Sequence, residues 1–200
     1  MSVPMLPKDM RGGARSAAAG MIKEAVDMAA ANGAARVGLG AFTSIATRGG
    51  ETASGRGVPI TSGNTLTTIS AVQGIEALAA RARLPLHDAH VVVVGASGAI
   101  GRLASLMLSR RVGRLSLVGN AANPFSPRLL SGVADEIYGT LLDQGAALSH
   151  APGELATLVE QMKGQKGFAA GSERKGLAER YNTALRSAGH PAPVSWTSAK

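Results

Sequence analysis

The 200-residue sequence contains no cysteine. That excludes a disulfide, a thiolate metal site and a cysteine nucleophile anywhere in the chain. Aromatic residues are scarce at 3%, while Ala and Gly abound, a balance that suits helices packed closely on a sheet better than an aromatic-rich sandwich or barrel. No apolar run approaches the roughly 18 residues that a membrane-spanning helix needs. The start has no apolar core followed by a cleavage site, so a cytoplasmic chain without a membrane span is expected. The four histidines, His87, His90, His150 and His190, show neither an HExxH pattern nor ligand spacing on a helix face, and they read as surface residues with no metal site. Tyr138 and Tyr181 are followed four positions later by Leu142 and Leu185, so the Tyr-x-x-x-Lys pair of short-chain dehydrogenases is missing. No Gly-x-Ser-x-Gly elbow occurs either. The sequence therefore names no catalytic residue.

What is present is enough apolar content, 45%, for one ordinary domain, or for one domain and a fragment of another. The formal charge of +8 favours an anionic partner: a phosphorylated cofactor, an acidic carrier protein or nucleic acid. The basic residues, among them Arg102, Arg110, Arg111, Arg114, Arg128, Arg174, Lys175 and Arg180, are scattered and have no aromatic interleaving. Nucleic acid is thus not expected, and most of these charges read as solvated surface.

The most informative stretch is His90 to Gly101, HVVVVGASGAIG. Four valines running into three glycines spaced by three predict a buried parallel strand covered by helices on both faces, then a phosphate-binding turn, then a helix. Gly95 would let the chain leave the strand sharply, Gly98 would let the backbone approach a pyrophosphate, and Gly101 would let the helix press onto the sheet. The helix would bury Ile100, Leu103, Ala104 and Met107. Gly95, Ala96, Ser97, Gly98, Ala99, Ile100 and Gly101 are accordingly the candidate cofactor contacts. The next strand, Arg114 to Asn120, ends in Gly119 and Asn120 where a site selective for NAD usually places a carboxylate for the ribose hydroxyls. With no carboxylate to repel a 2′-phosphate, and with Ser97, Asn120 and Arg128 available to bind it, NADP is the expected cofactor.

Upstream, residues 1–20 read as a flexible leader. Helical spacing then follows through Ile22, Ala25, Met28, Ala29 and Asn32 to a cap at Gly33. Val37, Leu39 and Phe42 mark a strand running into a loop that offers Thr43, Ser44, Thr47 and Arg48, either to a ligand or simply to a polar turn. Thr61, Ser62, Gly63, Asn64 and Thr65 stand where a strand meets the helix of Ile69, Val72, Ile75 and Ala79. They read as helix capping or as a polar substrate site, and taken alone capping is the simpler meaning. Downstream, Leu130, Val133, Ile137 and Leu141 predict a helix over 127–144, with further helices over 153–163 and 177–188. GAALSHA is a feeble strand candidate, GQKGFAAGSERKG a loop, and the end a proline-rich tail. The expected organisation is the leader, a remnant of a substrate-side domain over 21–64, an NADP-binding half over 65–150, and a helical basic segment over 151–200. The fold class is α/β, a Rossmann-type parallel sheet with flanking helices, incomplete in its second half.

The order VGLGAFTSIAT, ITSGNTLTT, amphipathic helix, VVVVGASGAIGRLASLML resembles the cyanobacterial long-chain acyl-[acyl-carrier-protein] reductases and related bacterial dehydrogenases, over roughly residues 22–120. A looser similarity extends to shikimate dehydrogenase and glutamyl-tRNA reductase. The resemblance implies NADPH-dependent reduction of a fatty acyl thioester to an aldehyde, with an acidic acyl carrier protein or a small molecule as partner. It also implies that Thr61 to Thr65 lie beside an interdomain cleft. The chain departs from that family in lacking its cysteine nucleophile and in reading differently after Asn120. Two alternatives follow: reduction of a small polar substrate by direct hydride transfer, and a dinucleotide-binding module without turnover.

Overall fold

The structure is a computed structural model that describes residues 2–144, 153–163, 168 and 173–199. It divides into two compact units, Met1–Leu66 and Thr67–Lys200.

In the first unit, helix α1 (Pro7–Arg11) precedes α2 (Arg15–Ala31). Part of the stretch expected to be a flexible leader is thus helical, and Met10 and Ala18 are buried in the unit's small core. Helix α2 buries Ala18, Ile22 and Val26, each four residues apart on one face, while Met28 stands exposed. It stops where Gly33 adopts a left-handed φ of +77°. Two short strands, β1 (Val37–Gly38) and β2 (Ile60–Thr61), pair in parallel. Between them lie helix α3 (Thr43–Ala46) and a 3-10 turn (Glu51–Ala53). Arg15 ties α2 to α3 by donating to the Ile45 carbonyl at 2.8 Å.

Helix α4 (Asn64–Ala82) begins at the boundary and runs into the second unit, where it buries Thr68, Val72 and Ala79. Three parallel strands then form one sheet in the order β3-β4-β5: β3 (His90–Val94), β4 (Arg114–Asn120) and β5 (Val194–Ala199). Helix α5 (Ala99–Leu108) connects β3 to β4. Helices α6 (Ser126–Gln144), α7 (Glu154–Met162) and α8 (Leu177–Ser187) lie between β4 and β5. This is an α/β fold with a parallel, Rossmann-type half-sheet. A doubly wound dinucleotide fold has two such halves, joined at the strand that carries the glycine turn; here that strand, β3, is an edge, and no strand pairs with its free side among the described residues.

Helix α6 is the spine of the second unit. Leu130, Val133, Ile137 and Leu141, at the expected spacing, are all buried, and α6 packs on β4, β5, α7 and α8. Tyr138, also on α6, is wholly buried. Its hydroxyl donates to Asn182 Oδ1 at 2.6 Å, and Asn182 Nδ2 donates to the Val194 carbonyl at 2.7 Å, so one polar relay joins α6, α8 and β5. Burial pushes the Tyr138 phenol far above its ordinary range, which keeps it a neutral donor. Stacking of the Tyr138 and Tyr181 rings, with centroids 4.8 Å apart, fills the same layer.

The structure corrects three expectations. The four valines are not covered on both faces: Val91 and Val93 turn into the core, whereas Val92 is 54% and Val94 79% exposed. An edge strand whose helices pack on one face has nothing to place over the other. Ile100 is exposed rather than buried, and Leu103, Ala104 and Met107 are half-buried, whereas Ser105 and Leu108 are the fully buried residues of α5. The proline-rich tail contains β5, whose Val194 is buried and Trp196 partly so, while Ser195 and Thr197 face outward. Pro193 sits just before this strand, and its carbonyl accepts from Leu115 N at 2.8 Å, so the proline costs the ladder nothing. The feeble strand candidate GAALSHA lies outside the described residues, as does most of the predicted loop at 164–176.

Candidate functional site

Parallel pairing places Val94 opposite Val118. The residues that follow each strand therefore emerge at the same carboxyl end of the sheet, where ligands of open α/β sheets bind. Gly95 leaves β3 with φ +77°, a conformation that penalises any side chain. Its N–H and that of Ala96 both reach the Val118 carbonyl, at 2.8 and 3.1 Å, which stitches the turn to β4. Gly98 then donates to the Gly95 carbonyl at 2.9 Å and accepts from Arg102 N at 2.8 Å, closing the turn and opening α5. A Cβ at Gly101 would collide with the Gly95 carbonyl oxygen and lie 2.8 Å from its carbon. The helix start is thus pressed against the turn, as a phosphate cradle requires.

No side chain caps α5, and no acidic residue occupies its first turn. The N–H groups of Ala99, Ile100 and Gly101 have no acceptor earlier in the helix. Gly98, Ala99 and Ile100 are exposed, Ser97 and Gly101 half-buried, and Ala96 buried beneath them. An uncapped, exposed helix start is suited to receive an anion. Arg102, one turn in, is engaged: its Nε donates to Glu136 of α6 at 2.6 Å.

At the end of β4, Gly119 is buried under the start of α6 and Asn120 is exposed. Asn120 Oδ1 accepts from Ala122 N at 2.9 Å, and Asn123 Oδ1 accepts from Phe125 N at 3.0 Å. Two successive Asx turns therefore fix the loop that leads into α6. The structure thus brings Gly95 to Gly101 together with Gly119 and Asn120.

The residues expected to contact substrate fall in the first unit and at its border. Thr43 Oγ1 donates to the Gly40 carbonyl at 2.6 Å, and Thr47, wholly buried, donates to the Thr43 carbonyl at 2.7 Å. Ser44 is half-buried in the same turn. In the TSGNT segment, Thr61 Oγ1 accepts from Gly63 N at 3.2 Å and Ser62 Oγ from Asn64 N at 3.5 Å, with Gly63 at φ +74° and Thr65 exposed. These hydroxyls shape the turn before α4, the capping role that the sequence also allows. Sequence reasoning missed a cavity of about 550 Å³ in the first unit, lined by Ile22, Val26, Val37, Leu39 and Phe42 together with Arg36 and Thr43. Small-molecule pockets fall within roughly 300–1,000 Å³. Its apolar lining comes from the N-terminal segment and α1 (Val3, Met5, Pro7, Met10), from α2 and from the residues around β1, stretches separate in sequence, so no local motif announces it.

Among the described residues no group of three or more metal-ligating side chains comes together, and no helix is long and apolar enough to cross a membrane. No family model matches the chain. No solved structure matches it either. The chain is similar to the aminotransferase PigE of Serratia sp. (strain ATCC 39006), with 31% identity over 135 residues that make up 67% of this chain and 16% of that protein. The chain thus spans less than a fifth of that protein's length.

Proposed function

We propose that the second unit binds NADP(H) and that the chain serves an NADP-dependent oxidoreductase, acting on an acyl thioester that it reduces to an aldehyde. The observation that carries this reading is the turn itself: an uncapped helix start with exposed N–H groups, pressed so tightly on Gly95 that only glycine fits at Gly101. A parallel strand precedes the turn, and a second strand ends in an amide rather than a carboxylate beside it. Gly98 to Gly101 would hold the pyrophosphate, and Asn120 the adenosine ribose, where no negative side chain opposes a 2′-phosphate. When bound, the nicotinamide would supply a hydride. The chain's own part is to orient the dinucleotide at the carboxyl end of the sheet. The apolar cavity of the first unit is large enough for an acyl group. The net charge of +8 suits an acidic carrier that would deliver it.

Similarity to part of a protein named an aminotransferase raises a different phosphorylated cofactor, pyridoxal phosphate, which a helix start also attracts. One titration separates the two. Purified protein is titrated with NADP⁺, NAD⁺ and pyridoxal phosphate by calorimetry. Binding of NADP⁺ in preference to NAD⁺ is expected, and binding of pyridoxal phosphate alone would overturn the proposal. Gly98 has φ −81° and ψ 162°, dihedrals that valine adopts, but a Cβ there would lie 3.3 Å from the Gly95 carbonyl oxygen, so the turn must give by a few tenths of an ångström. Gly98→Val is therefore expected to fold with a modestly lowered melting temperature while weakening NADP⁺ at least tenfold. Unchanged affinity would remove the turn from the site. Incubation with NADPH and acyl thioesters, followed at the nicotinamide absorbance, tests turnover; binding without oxidation would make the chain a dinucleotide-holding module.

A further inference from the structure

The cavity of the first unit holds about 550 Å³, and its wall offers little to a polar atom. Helix α2 contributes Ile22, Ala25, Val26 and Ala29, and the stretch after β1 contributes Leu39 and Phe42. Of the two hydroxyls in the lining, Thr43 Oγ1 already donates to the Gly40 carbonyl at 2.6 Å, and Ser2 is exposed. Arg36 is the one charged residue in the described lining. It is exposed, so it stands where the cavity meets solvent, and its guanidinium forms no ion pair among the described residues.

A second donor lies two residues on. Val37 N donates to the Pro59 carbonyl at 2.9 Å and Leu39 N to the Thr61 carbonyl at 2.8 Å, so the ladder to β2 uses alternate residues. The N–H of Gly38, which also lines the cavity, therefore points to the other edge of β1, where no strand pairs among the described residues. A Cβ at Gly38 or Gly40 would meet nothing within 4 Å, so the bare backbone there is open to a ligand rather than covered by protein. Ala41, next in the lining, holds φ +48°, a left-handed conformation that a Cβ disfavours, and such strain collects at ligand sites. Residues 2–5 complete the wall through Val3 and Met5, which pack on the core of the unit. The backbone bond of that segment, from Met5 N to the Val3 carbonyl, is internal to it, so side chains hold it over the cavity.

We propose that this cavity binds an aliphatic monocarboxylate, its chain buried between α2 and β1 and its carboxylate at the mouth, held by the Arg36 guanidinium and the Gly38 N–H. The wall selects the tail: without free donors or acceptors inside, a ligand with polar groups along its length would lose them unpaired, whereas one whose polar atoms sit at a single end loses none. Arg36 selects the head. A carboxylate has two acceptor oxygens that match the guanidinium fork, and one negative charge answers the one cation present. The inference goes beyond the acyl-thioester reading, because a thioester brings no charge to Arg36. It also stands apart from the dinucleotide reading, since every residue it uses lies in the first unit.

The test is calorimetric titration of the full chain, without dinucleotide, using hexanoate, octanoate, decanoate and the uncharged octanol. The parent is compared with Arg36→Gln and with Ala29→Phe, which fills the cavity from α2, and far-UV circular dichroism checks folding. Affinity for the acids is expected to rise about fourfold per methylene. Arg36→Gln, at an exposed position, is expected to fold, to weaken octanoate about three- to fivefold as the loss of an exposed ion pair does, and to leave octanol unchanged. Ala29→Phe is expected to weaken acids and alcohol alike, decanoate most; if that variant does not fold, the chain-length series and Arg36→Gln decide. A parent that binds none of the acids, an affinity flat across the series, or an equal loss of octanoate and octanol in Arg36→Gln would overturn the assignment. NADP⁺ titrated in parallel keeps the two readings apart: octanoate bound without NADP⁺ overturns only the dinucleotide site, and NADP⁺ bound without any acid overturns only this one.

Discussion

Tyr138 shows how one atom ties three elements together. Its hydroxyl is buried, its acceptor Asn182 is buried, and the Asn182 amide supports the carbonyl of Val194 at the start of β5. Removing the hydroxyl leaves Asn182 Oδ1 without its donor in a place water does not reach. Tyr138→Phe is therefore expected to lower stability by about 1–3 kcal/mol, read from urea unfolding, and a loss below about 0.5 kcal/mol would mean that the relay is not formed in solution. None of this is visible in the sequence, where Tyr138 and Asn182 are 44 residues apart. The glycines are the opposite case. Gly95, Gly98 and Gly101 act on each other within seven residues, so their spacing alone announces the turn. Local geometry is legible; a tertiary hydrogen bond is not.

At the scale of elements, β4 and α6 match their expected spans closely, because each has the period of its structure, two residues for β4 and three to four for α6. Strand β5 escaped because Pro191 and Pro193 precede it and Ser and Thr fill its outer face, although Val194 and Trp196 alternate with them. Helix α8 depends on a partner that no period reveals. Gly176 precedes it with φ +71° and offers no side chain to cap it, and the carboxylate of Asp135, on α6, accepts from Gly176 N at 2.9 Å and from Ala178 N at 2.8 Å instead. An N-terminal cap contributes about 0.5–2 kcal/mol. Asp135→Ala should lose that much in chemical denaturation, while Asp135→Asn, which keeps one acceptor oxygen, should lose less. Equal losses would show that charge, rather than capping geometry, is what α8 draws on.

For the whole molecule, the run of valines is where the sequence misleads, and the reason lies in what surrounds it. An unbroken apolar strand signals burial on both faces only when the sheet continues on both sides and helices cover both surfaces. Here β3 ends the sheet, so Val91 and Val93 belong to the core while Val92 and Val94 lie on a face shared with His90, Ser116 and Ser195. That face is polar beyond the valines: His90 Nε2 lies 2.8 Å from Ser116 Oγ, which lies 2.7 Å from Ser195 Oγ. Alternate valines should thus respond differently to substitution. Val93→Ala, at a position 9% exposed, is expected to cost about 1–3 kcal/mol. Val92→Thr and Val94→Thr keep the β-branched shape that a strand favours and should stay within about 0.5 kcal/mol of the parent. Melting curves at two protein concentrations a hundredfold apart decide the matter. Concentration-independent melting with silent threonine variants means that the face is open in solution. If the threonine variants instead lower the melting temperature, and more so at high concentration, the valines are buried by association, and this face of the half-sheet that carries the glycine turn is covered by a second copy of the chain.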